Sequence, residues 1–60
     1  MLFEYYNNYL RVTNYRQLKL LEDDNIVIDN LKIIGSNLVI LSMDKDEIII
    51  YGNIINLIIG

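Results

Sequence analysis

Leu31-Lys32-Ile33-Ile34-Gly35-Ser36-Asn37-Leu38-Val39-Ile40-Leu41 sets two alternating apolar runs on either side of a glycine and an asparagine. Leu31 and Ile33 alternate before Gly35, and Leu38 and Ile40 alternate after Asn37. Alternation at every second residue sets one row of side chains on one face of a strand. Gly35 and Asn37 tolerate positive φ, so the run reads as strand, turn signal, strand. A fainter echo follows in Ile50-Tyr51-Gly52-Asn53-Ile54, with Gly52 17 residues after Gly35. The echo fits chance and a stacked, coil-on-coil β arrangement equally well.

The same rhythm extends outward from this stretch. Polar punctuation falls at Asn7-Asn8, Thr13-Asn14, Glu22 to Asn25, Asp29-Asn30, Ser42 to Glu47 and Gly52-Asn53. Between these points lie short apolar runs, which predicts short strands joined by tight turns. Composition agrees. There are twelve Ile, nine Leu and three Val, and no Ala. Branched aliphatics suit a pleated, half-buried surface, and the best helix former is missing. The expected fold is a single all-β domain over residues 1–60, either a solenoid-like roll or a small sandwich. Residues 14–22 stay open between strand and helix. Asn14 with Gln17 looks like a capping box, and Val12, Tyr15, Leu18 and Leu21 lie at spacings of three. A strand instead pairs Leu18 with Leu20 on one face, and nine residues nucleate a helix poorly.

Sixty residues make a marginal core, because so small a domain buries only about 60% of its unfolded surface. Small scaffolds are usually held by disulfides, metals or association. The chain has no Cys and no His, which removes disulfides, thiolate metal sites and the commonest metal ligand. Association remains. Several strands are also apolar on both faces, as in Leu38-Val39-Ile40-Leu41, Ile48-Ile49-Ile50-Tyr51 and Ile54-Ile55 with Leu57-Ile58-Ile59. Such strands need cover on both sides. A homo-oligomer is therefore expected, with Val39, Leu41, Ile49, Tyr51, Ile55 and Ile58 as its contact positions. The competing reading is a tightly wound sandwich or roll that covers itself.

Enzyme signals are close to absent. Nucleophilic catalysis pairs a hydroxyl or thiol with a base, and Ser36 and Ser42 both sit in turn contexts with no His to serve them. Asp44-Lys45-Asp46 resembles the opening of a calcium loop, but Ile48 and Ile49 follow where ligands and glycine are needed. No catalytic residue, cofactor or metal is expected. The net charge of -3 speaks against nucleic acid and against an anionic membrane surface. A small nucleic-acid-binding barrel using Tyr5, Tyr9, Arg11 and Arg16 is the minor alternative. The longest apolar run, Ile48 to Ile59, is interrupted and too short to span a bilayer as a helix. No secretory signal is visible, so a cytoplasmic location is expected. Charge is uneven: Arg11, Arg16 and Lys19 face only Glu4 in residues 1–20, and acidic residues dominate thereafter. That asymmetry permits head-to-tail attraction, and equally describes an ordinary solvated surface.

From Leu10 onward an ordered set of motifs appears. Asn14-Tyr15-Arg16 is followed by Leu18-Lys19-Leu20-Leu21-Glu22-Asp23, then Ile26-Val27-Ile28. Leu31 to Ile40 follow as apolar-x-Ile-x-Gly-x-Asn-Leu-x-Ile, and Asp46 to Ile54 as an acidic turn with Ile-x-Ile-x-Gly-x-Ile. Leu57 and Ile59 close it. Over residues 10–59 this order resembles the YabP/YqfC family of sporulation proteins of spore-forming Firmicutes. The sequence departs from the family pattern at Gln17 and Asn30, where Gly is usual, and at Ile55 and Ile58, where charged or polar residues are usual. It also has less chain before the pattern. Asn30 can stand in for Gly in a left-handed turn. The resemblance implies an all-β, non-enzymatic protein of endospore formation, in the mother cell or at the forespore surface. It implies a part in spore-envelope assembly and a membrane-protein partner. The alternative is a generic self-assembling β module, a filament or ring subunit unrelated to sporulation.

Overall fold

The computed structural model describes all residues, 1–60, and contains six strands and no helix. They are β1 (Leu2–Tyr6), β2 (Tyr9–Thr13), β3 (Leu18–Leu21), β4 (Asn25–Ile28), β5 (Leu31–Met43) and β6 (Glu47–Ile59). They form one sheet in the order β1-β2-β6-β5-β4-β3. Every pairing is antiparallel, so the fold is all-β and contains no stacked parallel coils.

Turns form at the polar interruptions between the six strands, whereas Gly35 to Asn37 and Gly52-Asn53, expected as turns, lie within the continuous strands β5 and β6. Asn7 and Asn8 have φ of 49° and 66°, the left-handed pair that a two-residue type I′ hairpin requires. Tyr6 and Tyr9 pair across that turn. Between β5 and β6, Asp44 Oδ1 accepts hydrogen bonds from the N–H groups of Asp46 and Glu47, both at 2.9 Å. That carboxylate belongs to the turn. Between β4 and β5 the left-handed residue is Asp29, with φ of 52°, and not Asn30.

β5 and β6 are too long for a flat sheet of this size. Thirteen residues of straight strand span about 43 Å. The longest dimension of the molecule is 24 Å. Both strands therefore bend, and Gly35 and Gly52 lie at the bend. A Cβ on Gly35 would sit 2.2 Å from the Asn53 carbonyl oxygen, and one on Gly52 would sit 2.7 Å from that of Asn37. Gly52 also has φ of +152°, which L side chains rarely adopt. The 17-residue echo thus marks two strands folding at a shared crease. Backbone bonds hold it: Gly35 N–H donates to Asp24 O at 3.1 Å, Leu38 N–H to Asp23 O at 2.8 Å, and Gly52 N–H to Asn8 O at 3.1 Å.

Folding at the crease lays one half of the sheet over the other. The first layer holds β1, β2, residues 47–51 of β6 and residues 39–43 of β5. The second holds β3, β4, residues 31–36 of β5 and residues 53–59 of β6. Leu10, Val12, Ile48 and Ile50 face Ile26, Ile28, Leu31 and Ile33 between the layers, with Leu38 beside the crease. All nine are buried. β2 and β4 are not neighbours in the sheet, so they share a core only because the sheet closes on itself. Each fully buried side chain of this kind contributes about 1.5–3 kcal/mol.

Residues 14–17 form an irregular loop, and β3 begins at Leu18. The Asn14 and Gln17 capping box does not form. Asn14 takes φ of 57°, and its N–H donates to Asp46 O at 2.9 Å. The spacing of three arises because Val12 is the last buried residue of β2, Tyr15 packs on the core from the loop and Leu18 opens the next strand. The partner that holds the loop is remote in sequence. The Asp29 carboxylate accepts from the N–H of Gln17 at 2.8 Å and of Arg16 at 3.0 and 3.1 Å. In return Asp29 N–H donates to Gln17 O at 2.9 Å. Partial desolvation pushes the Asp29 carboxyl up, but the Gln17 and Arg16 donors, with the Lys19 charge, outweigh it and hold it below its ordinary value of 3.8.

Two measurements check this account. Gly52→Ala and Gly35→Ala each lower stability by about 1–3 kcal/mol in urea unfolding, through clash and strained φ. Asp29→Asn lowers the unfolding midpoint at neutral pH. Because the native Asp29 pKa is depressed, its contribution is present above 3.8 and lost as pH falls through the native value. Wild type and Asp29→Asn therefore converge in stability in acid, and a pH-independent gap would contradict the assigned role.

Candidate association surface

With one face of the sheet turned inward, the other faces solvent on both sides of the molecule. The first outer face carries a row across four strands: Tyr6 pairs with Tyr9, Tyr9 with Tyr51 and Tyr51 with Val39. The Tyr9 and Tyr51 rings lie 4.9 Å apart at 56°. Such cross-strand aromatic contacts stabilise a sheet face. The next row runs Glu4, Arg11, Ile49, Ser42. Arg11 Nε donates to Glu47 and its Nη1 lies 3.5 Å from Glu4. The hydrogen bond and charge of Glu47 raise the Arg11 pKa, against some desolvation and with help from Glu4. A shallow hollow of about 400 Å³ opens between Glu4, Tyr6, Tyr9, Arg11 and Ile49. Arg11 is clasped by two carboxylates, an arrangement that disfavours the phosphate contact a nucleic-acid reader needs.

The second outer face carries the row Leu20, Val27, Lys32, Ile58. Ile55 stands beside it at an irregularity in β6. Ile34 pairs with Asn56, but Gly35 pairs with Ile54, so Ile55 is the extra residue of a bulge.

The six contact positions expected from the sequence therefore fall on two surfaces. Val39, Leu41, Ile49 and Tyr51 belong to the first layer, and Ile55 and Ile58 to the second. Val39, Leu41 and Tyr51 are 47%, 54% and 40% exposed, Ile55 is 68% and Ile58 is 43%, while Ile49 is half-buried. Sequence reasoning missed Ile59, which is 60% exposed, and Leu20 and Leu21, which lie on an outer strand. It also missed Tyr6 beside Tyr9. Ile59 shares the side of Leu57 and is exposed at the end of β6, so a count of outward positions does not find it.

The total accessible surface is 3972 Å², close to the roughly 4,100 Å² of a compact monomer of 7.1 kDa. The apolar exposure thus comes from composition, not from an expanded fold. No three acidic side chains converge closely enough to hold a metal ion. No helix is long and apolar enough to cross a membrane. No family model, curated protein or solved structure matches the chain.

Outer and inner positions separate in a stability experiment. Val39→Ser and Ile55→Ser change the monomer's unfolding free energy by no more than about 0.5 kcal/mol. Ile50→Ala, on the buried side of the same strand as Ile55, costs about 2–5 kcal/mol. Similar losses at both kinds of position would place Val39 or Ile55 in the core.

Proposed function

We propose that this chain is a non-enzymatic β module that works by association, with copies of itself or with a partner, in assembly of the spore envelope. The observation that carries the association is the pair of solvent-facing apolar surfaces on a chain whose core is already closed. Contiguous apolar exposure on a small domain marks an interaction surface. Val39, Leu41, Ile49 and Tyr51 supply one contact and Ile55 and Ile58 the other.

The sporulation part rests on the ordered resemblance over residues 10–59. With it come the mother cell or forespore surface as the place of action and a membrane protein as the partner. A filament or ring subunit unrelated to sporulation is the second reading. It is favoured by the surfaces themselves, which are apolar and carry no feature particular to a spore protein. A fluorescent fusion in a sporulating host decides between the two. Recruitment to the developing spore supports the first, and polymer formed equally in vegetative cells supports the second.

Sedimentation tests the association directly. The purified protein is expected to sediment as an oligomer, and Ile55→Lys and Ile58→Glu to shift it to monomer with unchanged far-ultraviolet circular dichroism. Glu is chosen at position 58 because Lys32 lies directly opposite and a cation there would be repelled. A folded wild-type monomer at high concentration would overturn the reading.

A further inference from the structure

The crease leaves part of β6 without a neighbour. β2 pairs with β6 only along Tyr51 to Glu47, and residues 53–59 pair with β5 alone. The far side of that segment is an open sheet edge. Natural edges are usually guarded by charge, proline, brevity or a bulge, and the bulge in this segment lies at Ile55, before Asn56 to Ile59. The edge strand β1 carries Glu4 and the edge strand β3 carries Lys19. From Gly52 to Gly60 there is no ionisable side chain and no proline.

The direction of the free backbone groups follows from the hydrogen bonds that are made. Gly60 N–H donates to Asn30 O at 3.0 Å. In an antiparallel ladder hydrogen-bonded and non-hydrogen-bonded pairs alternate. Ile58 and Asn56 therefore turn their backbone groups toward β5, and Leu57 and Ile59 turn theirs toward the open edge. None of the bonds outside the ladders serves Leu57 or Ile59.

We infer that the open edge of β6 is an isologous interface, in which residues 55–59 pair antiparallel with the same residues of a second copy and Leu57 lies on the two-fold axis. The inference rests on the association proposed above and adds its location, symmetry and register. This edge complements itself. Leu57 meets Leu57 of the second copy in a hydrogen-bonded pair that uses the free groups of both. Leu57 meets its copy on the inward side and Asn56 meets Ile58 on the outer side, with the bulge residue Ile55 meeting Ile59 at the ends of the paired stretch, so the two second layers join as one continuous sheet. The segment is also neutral in a chain of net charge -3, so like charges do not oppose each other along the contact. A strongly charged partner would find nothing here to pair with.

Single cysteines test this, because the chain has none of its own. In the proposed register the Leu57 Cα atoms lie about 5.5 Å apart and those of Asn56 and Ile58 about 4.5 Å, both within disulfide reach. Under mild oxidation Leu57→Cys is expected to convert mostly to one covalent dimer. Asn56→Cys with Ile58→Cys, both at exposed positions, gives the same dimer should Leu57→Cys disturb the core. An oligomer in sedimentation that links at neither β6 variant, whether or not Val39→Cys links, overturns the edge interface and leaves association standing. A monomer overturns both.

Discussion

Everything in this molecule depends on how closely β5 and β6 approach at Gly35 and Gly52. Each glycine lies against a carbonyl of the opposite strand at a distance no Cβ could share. That approach lets two 13-residue strands turn sharply enough to fit within 24 Å. Without the crease the chain is a flat six-stranded sheet with a bare apolar face on each side. With it, one face covers itself and nine side chains leave water together. The crease is a steric device, and the core is its thermodynamic consequence.

Bulges then determine which side chains the crease leaves outside. Along β5 the buried positions run Leu31, Ile33, Gly35 and then shift to Leu38 and half-buried Ile40. One extra residue between Ser36 and Val39, with Asn37 at φ of 55°, makes that shift. Along β6 the inward set runs Ile48, Ile50, Gly52 and Ile54, then resumes at Leu57 after the bulge at Ile55. A regular alternation would have driven outward-facing residues into the core on one side of each bend. The added residues keep both halves of each strand in phase with the interior.

Much of this was readable from residue order, for physical reasons that differ by feature. Turn positions were readable because Asn and Asp tolerate left-handed backbone in their own right, as Asn7 and Asn8 do. Strand cores were readable because burial follows the period of two. The loop at 14–17 was not, because its stabiliser is Asp29, a residue of another hairpin that no local window contains. The left-handed position between β4 and β5 was assigned to Asn30 and is held by Asp29, since either residue type satisfies the turn and the tertiary bonds choose. Exposed apolar positions were readable singly, but their division between two surfaces was not. That division is made by the crease, and one glycine in a strand looks the same whether it bends the strand or merely weakens it.

A closed core and an open edge are connected by the bend at Gly52. Lengthening β2 along β6 would cap residues 53–59, yet β2 leaves β6 at Asn8 because Gly52 turns the strand into the other layer. The same bend that closes the core therefore strips half of β6 of its neighbour. An edge stripped in this way and lacking any charge is a ready template for another strand. In the proposed dimer, burying its aliphatic side chains against a second copy would add to the marginal stability of so small a domain, and that addition would grow with protein concentration. The closed core and the open edge of this chain are thus two results of one backbone constraint, the inability of anything larger than hydrogen to occupy positions 35 and 52.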